Sequence, residues 1–235
     1  MNKVIAVIAA HADDEVLGCG GTVAKFVKAG CQVHVLLLAD GETSRSDLDP
    51  KDYDKARSVR NKAAMRANEI LGTTSLTMLN FPDNRMDGVD LLDVVKAVET
   101  FVDEHRPNTV ITHFANDVNI DHQITHQAVV VACRPQSDHC VEELLFMEIA
   151  SSTEWVPVTG QVLFSPNYWV DITESIDIKM AALSAYKDEL REFPHPRSFE
   201  GVRALSTWRG CTVGVASAES FIAGRIIVSH SARQF

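Results

Sequence analysis

Two clusters of ionisable side chains are the chemistry-bearing parts of this chain. The first is His11-Ala12-Asp13-Asp14-Glu15, which ends the apolar run Val4-Ile5-Ala6-Val7-Ile8-Ala9-Ala10. A histidine and three acids at one strand tip are expensive to desolvate unless something positive sits among them, and a divalent metal is the simplest candidate. Neighbouring side chains in an extended or turning segment point different ways. His11 and one aspartate can therefore share a metal while the other aspartate faces a water bound to it. The second cluster is Asn116-Asp117-Val118-Asn119-Ile120-Asp121-His122-Gln123-Ile124-Thr125-His126. His122 is the natural third ligand, and Asp121 can orient an imidazole or cap a helix. His126 lies one helical turn after His122, but Gln123 stands where an HExxH helix has its glutamate, so His126 is read as a supporting or structural group.

Both clusters need strand tips to bring them together. Lys3–Ala9, Gln32–Ala39, Leu76–Leu79 and Asn108–Thr112 read as strands. Helical spacing appears over Gly18–Ala29, Asp52–Leu71, Leu91–Phe101 and Asp121–Cys133. This alternation predicts an α/β fold, a Rossmann-like and mostly parallel sheet flanked by helices, with right-handed crossovers. In such sheets, ligands bind at the carboxyl ends of the strands, where both clusters fall. After about residue 140 the pattern becomes β-rich. Glu143–Ile149, Val162–Phe164, Tyr168–Val170 and Thr212–Val215 look like strands, and Ser175–Arg191 like a helix with Ile176, Met180, Leu183 and Leu190 inward. This tail is expected to extend the same core, so residues 1–235 are read as one domain. Of Trp155, Trp169 and Trp208, two are expected in the core, and one is free to stack on a ligand.

Composition narrows the function classes. The net charge of −10 argues against a general nucleic-acid or anionic-membrane surface. No run approaches the ~20 apolar residues of a membrane span. Cys19, Cys31, Cys133, Cys140 and Cys211 form no CxxC pair, and the odd count suits free thiols in a reducing cytoplasm. Gly18-Cys19-Gly20-Gly21 is a poor dinucleotide fingerprint, because the acids before it would repel a pyrophosphate; close packing of the first helix on the sheet explains it better.

The two clusters resemble those of the PIG-L/LmbE family of zinc-dependent N-acetyl-sugar deacetylases. Ala10-His11-Ala12-Asp13-Asp14-Glu15 matches the family's (A/G)HPDDE motif, with Ala12 in place of proline. Asn119-Ile120-Asp121-His122 matches its HxDH-like motif, with Asn119 in place of the first histidine. Weaker matches run along the chain: Asp40-Gly41-Glu42, Arg60 with Leu71-Gly72, Pro82-Asp83, Arg209-Gly210 and Ala218-Glu219-Ser220-Phe221. The resemblance implies one zinc per chain, or another divalent transition metal, on His11, Asp14 and His122. It implies Asp13 as general base, with Glu15 supporting the cluster. Two imidazoles and a carboxylate leave a fourth position open for water, as a catalytic zinc needs.

At Asn119 the family histidine is thought to stabilise the tetrahedral intermediate or act as an acid. Asparagine can donate a hydrogen bond to an oxyanion but no proton. Either Asp13 carries every proton, or His113, His126 or His195 helps. By resemblance Glu42, Arg60 and Asp83 line a sugar pocket. Arg85, following Asp83-Asn84, and the proline-braced Phe193-Pro194-His195-Pro196-Arg197-Ser198 are read as substrate-binding, with His195 and Arg197 suited to an anionic group. The resulting expectation is a cytoplasmic hydrolase that releases acetate from an amino sugar or its conjugate, in a trimer or hexamer as the family often forms. An amidase for another acyl or thiol conjugate and a non-catalytic sugar-binding module are the alternatives.

Overall fold

Strand β1 (Val4–Ala9) shows how the sheet is built. Ile5, Val7 and Ala9 face one side and Ala6 and Ile8 the other, and all five are fully buried. A strand buried on both faces belongs in the middle of a parallel sheet. The computed structural model describes residues 3–41, 50–136, 139–158 and 160–228, with backbone alone for 50–52. In it β1 pairs in parallel with β2 (Gln32–Ala39) on one side and β4 (Thr109–His113) on the other. The sheet order is β3-β2-β1-β4-β5-β7-β6, with β3 at Ser75–Phe81, β5 at Glu143–Met147, β6 at Tyr168–Asp171 and β7 at Ala218–Ile226. Strands β1 to β5 are parallel, while β7 runs antiparallel to both β5 and β6. The expected α/β architecture with a β-rich C-terminal extension is therefore present.

Helices cover both faces. The cluster containing Ile5, Val7, Val33, Val35 and Ile111 lies under α1 (Asp14–Lys28), α2 (Pro50–Leu71) and α5 (Ile176–Leu183). The cluster containing Ala6, Ile8, Leu36, Leu38 and Val110 lies under α3 (Leu91–His105) and α4 (Ile120–Ala132). From β1 the chain passes one way to β2 and β3, then returns to β1's other side for β4 and β5. The tips of β1 and β4 thus flank the topological switch point, where open α/β sheets place a crevice.

Helix α1 is broken at Cys19, whose φ of −148° and ψ of 19° are not helical. A Cβ on Gly18 would come within 2.5 Å of Met147 Sδ, and one on Gly21 within 2.7 Å of Ile172 Cδ1. These glycines therefore serve close packing. The break is sealed by buried charge. Glu219 of β7 accepts from the backbone N–H groups of Gly21 and Thr22, while Lys179 of α5 donates to Leu17 O and to Glu219 at 2.6 Å.

Five expectations change. Helix α1 starts at Asp14 rather than Gly18, so Asp14 and Glu15 form its first turn, where acids suit the helix dipole. Val162–Phe164 is irregular and lies over the loop after β4, with Asn116 Nδ2 donating to Val162 O and Phe164 set edge-on to Phe114. Thr212–Val215 is the turn closing a further helix, α6 (Phe199–Cys211), with the N–H groups of Val213 and Val215 both donating to Gly210 O. The helix expected over Ser175–Arg191 ends at Leu183 and tightens through a short turn that brings Tyr186 inward. Two core tryptophans are not found either: Trp155 and Trp208 are 52% and 63% exposed, and Trp169 is half-buried.

Candidate active site

The turn after β1 presents the first cluster. Asp13 is the residue before α1, in the helix-capping position, at φ 119°. Its side chain makes no capping bond and reaches Arg197 Nη1 at 3.2 Å instead. Its backbone N–H donates to Glu15 Oε2, and the other Glu15 oxygen accepts from Tyr186 Oη at 2.6 Å and Asn68 Nδ2 at 3.1 Å. The buried Glu15 carboxylate thus holds the turn that aims Asp13. Burial raises the Glu15 pKa to about 7, against the opposing bond from Tyr186. Burial likewise raises Asp13 to about 6, partly offset by the Arg197 charge.

The second cluster opens α4. Asn119 caps that helix, its Oδ1 accepting from the N–H groups of Asp121 and His122. Its Nδ2 donates to Asn84 Oδ1. The cap turns His122 towards Asp14, with His122 Nε2 at 3.3 Å from Asp14 Oδ2. His11 Nδ1 lies at the same 3.3 Å from that oxygen. His11, Asp14 and His122 are all buried, and their potential ligand atoms lie within 4.8 Å of one another.

The outer ring nitrogens test whether a metal fits. His11 Nε2 bonds Asp121 Oδ2 at 3.0 Å, and His122 Nδ1 lies 3.1 Å from Asp117 Oδ1. Each imidazole thus meets a carboxylate on its far side, the arrangement that orients metal-bound histidines. With the outer nitrogens protonated, the inner ones point lone pairs at Asp14 Oδ2. Lone pairs facing one another at 3.3 Å repel unless a cation or a proton lies between them. Charge agrees with this, since Asp13, Asp14, Asp83, Asp117 and Asp121 are all buried around these rings. The same carboxylates act on the protonation of the rings. Burial would lower the His122 pKa, yet Asp14 and Asp117 raise it to about 9. Burial would raise Asp117, yet His122, Ser152 and Thr153 bring it down to about 2. The donor set fits a divalent metal.

The other expected residues divide. Asp121 is fully engaged, accepting from the N–H groups of Asn84 and Met86 as well as from His11. Asp83 lies 3.2 Å from His11 Nε2. Arg60, donating to Glu189 at 2.6 Å, lines the cleft with Asp83, Asn119 and Arg197. Arg85 is exposed and is not among the lining residues, whereas its neighbour Asn84 is. His195 sits behind the wall, edge-on to Trp155. His126 bonds the backbone oxygen of His113 and packs on Phe146, away from the ligands. His113 is fully buried, stacks on His122 at 3.9 Å, and accepts from the Ala10 N–H. Glu42 lies outside the described residues.

Sequence reasoning did not single out Asp117, Tyr186, Glu189 or the turn Ser151–Thr153. Asp117 is held by the hydroxyls of Ser152 and Thr153, which follow the tip of β5. A strand-tip rule applied to β5 as well as to β1 and β4 points to that turn; nothing local marks Tyr186 or Glu189. Of these, Ser151, Ser152 and Glu189 line a cleft of about 560 Å³ with the three candidate ligands on its wall.

Comparison with known proteins agrees with this geometry. Residues 6–133 match the PIG-L family model, described as GlcNAc-PI de-N-acetylase. An uncharacterized deacetylase, YaiS, of Escherichia coli is 29% identical over 79% of this chain and 91% of its own length. The diacetylchitobiose deacetylase of Thermococcus kodakarensis is 26% identical over 81% of this chain and 71% of its own. Among solved structures, the 4-carboxy-2-hydroxymuconate hydratase of Pseudomonas putida superposes with a TM-score of 0.79, covering 98% of this chain and 99% of that one. At 22% identity that likeness concerns the fold.

Proposed function

The chain belongs to the PIG-L family, and from that premise we propose that it is a zinc-dependent hydrolase removing the N-acetyl group from an amino sugar or its conjugate. The observation that carries this reading is the convergence of His11 and His122 on Asp14, each ring backed by a second carboxylate, with Asp13 beside them in the cleft. His11, Asp14 and His122 would hold the zinc, which when bound supplies a Lewis acid for the amide carbonyl and lowers the pKa of a water to about 7.

The protein's own groups do the rest. Asp13 takes the proton of the attacking water on its carboxylate and returns it to the departing nitrogen. Arg197 holds that carboxylate in place at 3.2 Å. Of the histidines considered as further proton carriers, His113 is buried behind His122, His126 faces Phe146 and His195 backs Trp155. Asn119 has its oxygen committed to capping α4. Proton transfer therefore falls to Asp13. Asp83, Asn84, Arg60 and Ser151 offer polar edges for sugar hydroxyls, and one sheet shared by the N-terminal and C-terminal parts supports reading residues 1–235 as one domain.

The substrate class is tested by acetate release from N-acetylglucosamine, N,N′-diacetylchitobiose and an N-acetylglucosaminyl conjugate carrying a carboxylate, with and without a chelator. Release from at least one that stops on chelation and returns with zinc supports the reading. Zinc binding with no acetate from any of them overturns it.

A further inference from the structure

We infer that Trp155 is the wall on which the substrate's sugar ring stacks; this rests on the amino-sugar hydrolase reading above. Trp155 lines the same cleft as His11, Asp13 and Asp14, yet is 52% exposed. A large aromatic left half-exposed in a cleft of charged and polar groups marks a binding surface rather than a packing one.

Its surroundings fix the ring in place. The Ser151 and Ser152 N–H groups donate to the Glu154 carboxylate at 2.6 and 3.1 Å. Thr153 Oγ1 accepts from the Ile149 N–H and donates to Asp117 Oδ2. The turn that carries Trp155 is thus tied to the acid that backs His122. On its other side His195 meets the indole edge-on, with centroids 5.7 Å apart and planes at 87°. His195 Nδ1 accepts from the Arg197 N–H, and the Arg197 side chain bonds both Ser151 Oγ and Asp13. One short chain of contacts therefore joins the indole to the proposed base. A rigid aromatic surface loses little conformational freedom when it binds. Its matching ligand has an apolar face and polar edges, the edges meeting Asp83, Asn84, Arg60 and Ser151. A pyranose has that form.

Removing the indole should weaken ground-state and transition-state binding alike. Trp155→Ala is expected to raise KM about tenfold with kcat within about twofold, and Trp155→Phe to recover most of the loss. Independently of turnover, N-acetylglucosamine and glucosamine should each cause a saturable change in tryptophan emission. That change should persist in Trp208→Phe and vanish in Trp155→Phe. An unchanged KM in Trp155→Ala, a loss confined to kcat, or an emission change that follows protein concentration rather than sugar overturns the proposal. If the wild type releases no acetate from any N-acetyl sugar, the hydrolase reading fails, while the emission titration still decides the role of Trp155.

Discussion

Asp13 adopts a backbone conformation that few residues other than glycine take up, with a φ of 119°. Such strain costs on the order of 1–3 kcal/mol and persists where the surroundings hold it. Here the holder is Glu15, bonded to the Asp13 N–H and anchored by Tyr186 and Asn68. Asp13 also forgoes a helix cap in order to face Arg197 in the cleft. His11 and His122 were legible as candidate ligands because ionisable residues at strand tips are conspicuous against apolar runs, whereas only the family resemblance chose Asp14 over Asp13. Asp117 was not, because an aspartate in a polar loop reads as solvated until the turn after β5 folds onto it. Its role is nonetheless measurable. Asp117→Asn should lower zinc affinity by about 10–100-fold, as losing a carboxylate behind a metal-bound histidine does. Competition with a chromophoric chelator measures it, and an unchanged affinity would remove Asp117 from the site.

Among the elements, α1 matters most, because its first turn carries the acids and its middle is broken. The buried Lys179–Glu219 pair replaces the helical bonds lost at Cys19, with side chains only 3% and 4% exposed. Deleting one partner strands the other without its counter-charge, so Glu219→Gln or Lys179→Met should each cost about 3–5 kcal/mol. Removing the exposed pair Lys28–Glu174 should leave stability close to wild type, because solvent screens it. Urea unfolding compares them, and equal losses would mean that the break needs no charge to hold it. Strands β1, β2 and β4 were readable from continuous apolar runs. Strand β7 was not, because Glu219 and Ser220 interrupt its pattern for reasons that lie in α1 and beside Glu148. Helix α6 buries only Val202, Ser206 and Gly210, a stripe too polar to announce a helix.

Across the whole molecule, a sheet whose order reverses at β1 and β4 supplies the crevice, and the same fold serves a hydratase in Pseudomonas putida. Chemistry therefore follows from the side chains at the strand tips rather than from the architecture. No helix among the described residues is long and apolar enough to cross a membrane. The thiols report on the integrity of the fold. Burial pushes Cys133 up to about 12, against the Arg225 charge, and raises the buried Cys19 as well, whereas Cys211 is exposed. Thiolate is the reactive form, so at pH 8 iodoacetamide should label Cys211 quickly and leave Cys19 and Cys133 untouched until the chain unfolds. Rapid labelling of Cys133 in the folded protein would contradict this packing.

A metal held by His11, Asp14 and His122 and a proton carried by Asp13 are separable by substitution, so zinc content and acetate release are measured together in wild-type and Asp13→Asn proteins. About one zinc per chain is expected in both, with acetate release lower by about 10²–10⁴-fold in the variant, the range expected for loss of a general base. A variant that holds its zinc and releases acetate at the wild-type rate would contradict that role of Asp13.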